Sequence, residues 1–469
     1  MTIPGKSLHY AKHRQREKGQ ALIYGLFVLT GGLAALFFMF NTGQLVEEKT
    51  KLVNTADAVA YSAGVLHARA LNFDAYTNRA LMANEVMIAQ AVSIASWAKY
   101  IDKHAQNVWP LSCDEYYSVP FWRDVLKYAA LCLILTGVQG QTSDVSDDVQ
   151  DAAGDTIRFS EAAKAALQGA QLNMAISLVP ARFLLLQQVA DANYKNDGQV
   201  KVDTIPITDN FVVFEGEPFI KSYSGEERTR FKEATVTAVN KDAFIKERSW
   251  TDSNTVVGCD GRAQFRRRGG TEMIGFDEWK ALDTASWHEW HWRFHGFPPR
   301  PSCDDEELPL GYGKAAASTS SEPDDSGARY GGSRSDNPTA SSMASGNKWN
   351  YSGLPTFYDL SAPGLSFQTP ETSPRLKFAI RLTRAKTQTK TADGRSLIKP
   401  AGRLALTDGK QVADVLAAVA TSEVFFERPV KRTDGKNELA SLFNPFWQVH
   451  LISTSTADLA LAMVMGGSR

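Results

Sequence analysis

The run Trp287-His288-Glu289-Trp290-His291-Trp292-Arg293-Phe294-His295 is the one group in this chain with the look of a metal site. Imidazole is a common zinc ligand, and on a helix His288, His291 and His295 fall along one face. Cys303 follows closely, with the acidic run Asp304-Asp305-Glu306-Glu307 directly behind it. The group lacks the His-Glu-x-x-His spacing that supplies a general base in metalloproteases. Its interleaved aromatics point instead to a packed apolar surface whose histidines satisfy hydrogen bonds, and the acidic run reads as a solvated face. The expectation is therefore no metal, with His288, His291 and His295 as the candidates should one bind.

No other arrangement suggests catalysis. The chain has no Gly-x-Ser-x-Gly elbow and no phosphate-binding loop. Gly311-Tyr312-Gly313 lies in a stretch without the strand and helix that would give it meaning. Lys plus Arg (51) nearly cancel Asp plus Glu (52), so no global charge argues for nucleic acid. Arg266-Arg267-Arg268 stands beside Gly269-Gly270 and reads as a solvated hairpin tip rather than a phosphate site. No cofactor is expected, and the chain reads as a non-enzyme.

The four cysteines, Cys113, Cys132, Cys259 and Cys303, form no CxxC pair, which argues against thiol redox catalysis and a four-cysteine zinc site. In an oxidising compartment disulfides are the default. Of three connectivities the simplest joins sequence neighbours, Cys113 with Cys132 and Cys259 with Cys303. The shorter loop would contribute on the order of 3 kcal/mol by chain entropy.

The elements that position these residues begin with a charge-free run at 21–40 (ALIYGLFVLTGGLAALFFMF). At about 1.5 Å per helical residue it spans roughly 30 Å, the hydrocarbon thickness of a bilayer. Lys6, Lys12, Arg14, Arg16 and Lys18 precede it, and Glu47 and Glu48 open the far side. That asymmetry places the N-terminus in the cytoplasm and exports the bulk of the chain. The run is longer than the apolar core of a signal peptide and ends in Phe38-Met39-Phe40-Asn41, a poor cleavage site, so it reads as an uncleaved anchor.

Beyond it, Val59, Ala63, Leu66, Ala70, Phe73, Thr77, Ala80, Asn84, Met87, Ala91, Ile94 and Ala98 recur at helical spacing. The small members Ala63, Ala70, Ala91 and Ala98 permit close approach of a neighbouring helix, and part of the seam nearest the membrane is expected to serve a partner. A second helical stretch covers 147–194, with Pro180 expected to kink or divide it. A short apolar helix is expected within 123–135. Strands are expected at 200–214, 375–383 and 447–452, and a hairpin at 263–276. Residues 311–347, mostly Ser, Gly, Asp and Ala, read as a flexible insertion. Residues 412–426 have helical spacing, and 457–465 form a short terminal helix.

One ordered set of motifs carries a family resemblance. Gly19-Gln20-Ala21-Leu22 follows the basic tail and leads into the apolar run. Lys51-Leu52-Val53-Asn54-Thr55-Ala56-Asp57-Ala58-Val59-Ala60-Tyr61-Ser62-Ala63 comes after it. Together they resemble the TadE/TadG-like proteins of the Flp (Tad, type IVb) pilus assembly system, over about residues 19–70. Ser441-Leu442-Phe443-Asn444-Pro445-Phe446-Trp447 resembles a stretch in longer relatives. The resemblance implies a single-pass inner-membrane protein whose exported domain helps to build or cap a surface fibre. Processed pilins of this class carry Glu five residues past the cleaved glycine. Tyr24 stands there in this chain, which implies that the basic tail is retained. Many TadG-like proteins also carry an Asp-x-Ser-x-Ser metal site, and Asp144-Val145-Ser146-Asp147 lacks its second serine. Asp57 has two readings: a registry element facing another subunit, Lys51 or Arg69, or a solvated edge of the stripe.

The resulting expectation is an α+β protein: a cytoplasmic tail (1–18), a transmembrane helix (19–41) continuing into a long helical hairpin (42–198), and a mostly antiparallel β-rich exported domain (199–469) with a flexible insertion. It would act by protein–protein contacts in a Flp/Tad-type pilus or secretion apparatus at the inner membrane. Its partners would be other assembly proteins, with self-association through the N-terminal helix and no nucleic acid. The assembly candidates are Asp57, Ala63 and Ala70. An anchored periplasmic metal-dependent hydrolase and a surface adhesin are the alternatives.

Overall fold

A computed structural model describes residues 18–107, 122–254, 256, 258–320, 329–365, 373–385, 388 and 415–467. Side chains are described for all of these except 18–20, 122–139, 206, 363–364 and 465–467. Helix α1 (Lys18–Asn107) runs without interruption from the apolar segment to the far end of the body, through Gly31, Gly32 and Gly43. Helix α2 (Trp122–Asn193) returns antiparallel to it and passes through Pro180. The kinks that glycine and proline suggest are therefore not used to divide either helix.

Cross-links fix the register of this hairpin. Lys51 binds Asp197 at 2.5 Å, Arg182 meets His67 at 3.1 Å and Gln171 donates to Asn78 at 2.8 Å. Further along, Lys164 pairs with Glu85 at 2.6 Å, Gln150 donates to the Ala95 carbonyl and Lys99 pairs with Asp147 at 2.9 Å.

The remaining elements clothe α1 along its length. They are β1 (Lys201–Thr204), β2 (Ile220–Tyr223), α3 (Thr229–Val239), α4 (Ala243–Lys246), β3 (Trp250–Ser253), β4 (Ala263–Ile274), β5 (Glu278–His295) and β6 (Arg300–Ser318). After them come α5 (Ser333–Asp336), α6 (Pro338–Met343), β7 (Lys348–Asn350), β8 (Phe357–Leu360), α7 (Ala362–Leu365), β9 (Arg375–Ala385), β10 (Val415–Phe426), β11 (Trp447–Ile452) and α8 (Thr456–Gly467). A four-stranded antiparallel sheet, β1-β9-β10-β11, lies nearest the apolar segment. Its Phe378, Ile380, Leu382, Leu416, Ala418 and Ala420 pack on Leu52, Ala56, Val59, Ala60 and Ala63 of α1. Helix α8 covers its other face through Ala462. The β2–β8 pair follows, over an aromatic core of Phe211, Phe214, Phe219 and Trp447.

The second sheet, β3-β4-β5-β6-β7, is antiparallel except for β6 beside β7, and it packs on Ile88, Val92 and Ala95. Here β6 approaches α1 so closely that a Cβ on Gly313 would overlap the helix backbone at Ser96 and Tyr100. Glycine is needed there for contact, not for a turn.

Four local expectations are corrected. Of the expected helix at 412–426, the described residues form β10 (Val415–Phe426), buried on both faces between α1 and α8; 412–414 lie outside the described residues. Continuous burial erases the alternation that marks a half-exposed strand. The expected hairpin at 263–276 is one straight strand, and the chain turns after it at Gly275, whose φ is 58°. Gly269 and Gly270 sit in mid-strand because a Cβ would collide with Asp283 at the first and with Gly331 at the second. Residues 311–347 are not a flexible insertion where they are described. They supply half of β6 together with α5 and α6, and Ala315, Ala317, Tyr330 and Ala340 are core. Small residues there serve close packing. The strand expected at 200–214 is confined to Lys201–Thr204.

Candidate functional site

The first functional feature is the apolar end of α1. Leu22, Phe27, Leu29, Leu36 and Phe40 are all exposed, on every side of the helix. Among the described residues no element covers them, and the segment is long and apolar enough to cross a membrane. A stretch of α2 passes the same test of length and composition, but it lies along α1 with Lys164, Gln171 and Arg182 buried in the hairpin. The body takes hold of α1 within about two turns of Phe40. Glu48 binds Arg384 of β9 at 2.5 Å, and the Lys49 ammonium donates to the Ala417 carbonyl of β10. Burial lowers the Lys49 pKa to about 8.

From there outward α1 carries a ladder of buried polar groups. Arg182 makes a two-pronged contact with Asp209 at 2.5 and 3.0 Å and touches His67, whose pKa is lowered by burial, and next by Arg182, to about 3. Asn78 donates to the carbonyls of Tyr358 and Leu442 and accepts from Gln171. Glu85 accepts from Trp279 and from the Tyr351 hydroxyl and pairs with Lys164. Ser96 donates to Asp283, which also binds Arg248 and Arg267. Burial pushes the Asp283 carboxyl up, but the two guanidinium groups outweigh it and hold the pKa below the ordinary carboxylate value. The arginine run 266–268 is thus no solvated tip: Arg267 is buried on Asp283, Arg268 binds Asp336 at 2.6 Å, and Arg266 lies 3.6 Å from Asp305. Such pairs add little net stability over apolar replacements, but removing one partner leaves a buried charge uncompensated.

Asp74 is the exception on this ladder. It borders a cavity of about 180 Å³ lined by Ala70, Met174, Leu178, Phe211 and Ile220, and its Oδ1 has no hydrogen-bond partner. Burial raises its pKa to about 7. Between pH 4 and 7 the folded chain keeps a proton that the unfolded chain has lost, so this group makes stability fall as pH rises through that window. Asp74→Asn removes the titration. The stability of the variant relative to the natural protein should rise by on the order of 1–3 kcal/mol from pH 4 to pH 8. Denaturant melts at the two pH values measure it, and an equal difference at both would contradict the assignment.

The assembly candidates divide. Asp57 is half-buried, and Lys51, one of its expected cations, is engaged by Asp197 instead. Ala63 and Ala70 are core: Ala63 packs with Phe378 and Ala420, and Ala70 with Leu178 and Phe219. In this fold the membrane-near part of the seam is covered by β9, β10 and β11, so it is not left free for a second helix. Ala63→Leu is accordingly expected to overpack the body and cost about 1–3 kcal/mol, read as a lowered melting temperature. An unchanged melting temperature would show that space remains there.

The histidine run lies on strand, not helix, because its period is two: His288, Trp290, Trp292 and Phe294 face one way, Trp287, His291, Arg293 and His295 the other. His288 is buried with Nδ1 at 2.9 Å from Asp305 and Nε2 at 3.0 Å from Asn337. His295 pairs with Asp304 across the ribbon, and His291 lies 3.6 Å from Glu289. The three histidines are not brought together, and among the described residues no three His, Cys, Asp or Glu side chains are arranged to hold a metal. The acidic run 304–307 faces residues 288–291 on the neighbouring strand, and its Asp305 and Asp304 are the partners of His288 and His295. Cys259 and Cys303 form a disulfide with Cα atoms 5.8 Å apart. Cys113 and the Cys132 side chain lie outside what is described.

Beyond His288 and Glu289, where β4 ends, β5 and β6 continue as a two-stranded ribbon to a turn at Gly296-Phe297-Pro298-Pro299. The disulfide and the bonds from Trp290 N to Arg262 O and Trp292 N to Asp260 moor its base. Sequence reasoning missed this projection by giving the run a helical period. It also missed the ladder, whose signal was Asp74, Asn78 and Glu85 recurring at helical spacing inside an apolar stretch.

Comparison with curated proteins and with solved structures returns no match for the chain. A family model does match: residues 19–70 fit the one described as putative Flp pilus-assembly TadE/G-like. This stretch is the exposed apolar first quarter of α1 together with the turns clasped by the β-sheet, so residues 19–70 are similar to the Tad region of the TadE/G-like Flp pilus-assembly family.

Proposed function

We propose that the protein is a membrane-anchored structural or assembly component of a Flp/Tad-type pilus or secretion apparatus, working by protein–protein contacts on the exported side. The observation that carries this reading is the continuity of α1. The Tad region is one uninterrupted helix, with its first half bare and apolar and its second half locked into the body by Glu48, Lys49 and Lys51. An anchor and a body joined without a hinge hold the body at a fixed distance and rotation above a bilayer. About 95 Å of helix separates Asn41 from His104 at 1.5 Å per residue. The basic tail before the apolar run supports a cytoplasmic N-terminus.

Deletion of the gene, complemented by the natural sequence or by a copy lacking residues 19–41, tests the role. Surface fibres should fall sharply on deletion and return only with the complete chain. A photocrosslinker on the exposed face of α1, at Tyr61 or Tyr76, should capture other pilus-assembly proteins. Normal fibre numbers in the deletion strain, with no such crosslinks, would overturn the reading.

A further inference from the structure

The distal ribbon has a polarity that the assembly role does not explain. Its exposed side chains are aromatic from the moored base to the turn: Trp292, opposite Cys303, is 51% exposed, Phe294 70% and Phe297, in the turn, 99%. From His291 to Ser302 the chain holds Arg293, Arg300, His291 and His295 and no carboxylate. The acidic residues Asp304, Asp305 and Glu306 begin only behind that point, and Asp260 and Glu289 also lie toward the base. Arg293 reaches back to Glu306 at 3.1 Å and His295 to Asp304 at 2.9 Å, so acid partners stay on the body side of the cations.

Position matters as much as composition. Along β6, Ala317 and Ala315 pack near Ile88 and Val92, Gly313 lies against Ser96 and Tyr100, and Gly311 against Tyr100 and His104. The ribbon therefore runs toward the C-terminal end of α1, away from the apolar segment. From Glu289, where β4 stops pairing, to Phe297 it extends about 26 Å at 3.3 Å per residue.

The geometry points to the ribbon tip as a contact for an anionic lipid surface, at the end of the molecule opposite its anchor. Trp and Phe side chains favour the headgroup boundary, where an apolar body and a polar surround are both satisfied, and Arg adds attraction to anionic headgroups. Such a surface demands no shape complementarity, which suits three splayed rings better than a protein pocket does. The carboxylates behind the tip limit how deeply it enters, since they would be driven against the same headgroup charge. The moored base keeps the rings presented together.

This inference takes from the preceding reading only the anchor at the other end of α1, and flotation of proteoliposomes checks that anchor separately. The full chain is reconstituted into phosphatidylcholine vesicles, and protease accessibility confirms the outward-facing fraction. Fluorescent target vesicles of phosphatidylcholine alone, or with phosphatidylglycerol, are then added, and their capture is measured. Capture should be strong for the anionic targets and should fall with salt. It should drop at least tenfold in Trp292→Ser/Phe294→Ser/Phe297→Ser and severalfold in Arg293→Gln/Arg300→Gln. All five side chains are at the surface, so an unchanged melting temperature is expected and is checked alongside. No capture of anionic targets, capture indifferent to headgroup charge, or capture unaffected by the triple substitution would overturn the inference. So would loss of capture together with tip-dependent crosslinking to a protein, which would assign the tip to a protein partner.

Discussion

Asp283→Asn is expected to lower the stability of the protein by about 3–5 kcal/mol, the range for removing one partner of a buried ionic cluster. Asp283 is completely buried on β5. It accepts from Arg248 through two nitrogens at 2.8 Å, from Arg267 at 2.7 Å and from the Ser96 hydroxyl at 2.6 Å. Asparagine has nearly the same shape but no charge, so two guanidinium groups are left in the interior without a counterion. Because the cluster ties α1, β4 and β5 together, the loss should appear as one earlier cooperative transition in a denaturant melt of the detergent-solubilised protein. The carboxyl is held below its ordinary value, so its contribution is present above the ordinary carboxylate range and fades as pH falls through the folded value. The gap between natural protein and variant should therefore narrow in acid. A variant as stable as the natural protein at pH 7 would show that the cluster is not formed.

Glu85→Ala should be comparably damaging, at about 3–5 kcal/mol, for a related but separable reason. The carboxylate is fully buried and serves Trp279 at 2.9 Å, Tyr351 at 2.7 Å and Lys164 at 2.6 Å. Burial raises its pKa, outweighing the Lys164 attraction, so the pair is not held together by charge alone. Alanine leaves the buried Lys164 ammonium with Glu161 as its remaining carboxylate, at 2.7 Å, takes the acceptor from the Trp279 N–H and the Tyr351 hydroxyl, and opens a cavity. Glu85→Gln keeps an acceptor for the rings and should lose less. Glu85→Leu with Lys164→Met removes both charges and should recover much of the loss, since apolar replacements of buried pairs are often tolerated. If the double variant were no better than Glu85→Ala, the damage would come from lost packing and not from the unpaired charge.

The elements legible in the sequence are those whose one face is wet or whose solvent is lipid. The apolar run before Asn41, the helical seam from Val59 and the strands Arg375–Ala385 and Trp447–Ile452 kept a recognisable period. The failures share a cause. Residues around Val415–Phe426 are covered on both faces, so alternation vanished and alanine content suggested a helix. Gly311, Gly313, Ala315 and Ala317 looked like linker composition, yet they are small because β6 presses on α1. Gly269-Gly270 looked like a turn for the same reason. Of the candidate site, the anchor and the disulfide Cys259–Cys303 were readable in advance. The pairings of Asp283 with Ser96 and of Glu85 with Trp279 were not, because 187 and 194 positions separate the partners.

The account stands or falls on the segment at 21–40 holding the chain in a membrane with the body exported. Alkaline phosphatase fused after Arg469, assayed in intact cells, tests this most directly, because the enzyme folds to an active form only outside the cytoplasm. High phosphatase activity in the membrane fraction is the predicted result. An inactive fusion of full length, remaining in the cytoplasm, would contradict the topology and, with it, the compartment that the Cys259–Cys303 disulfide requires.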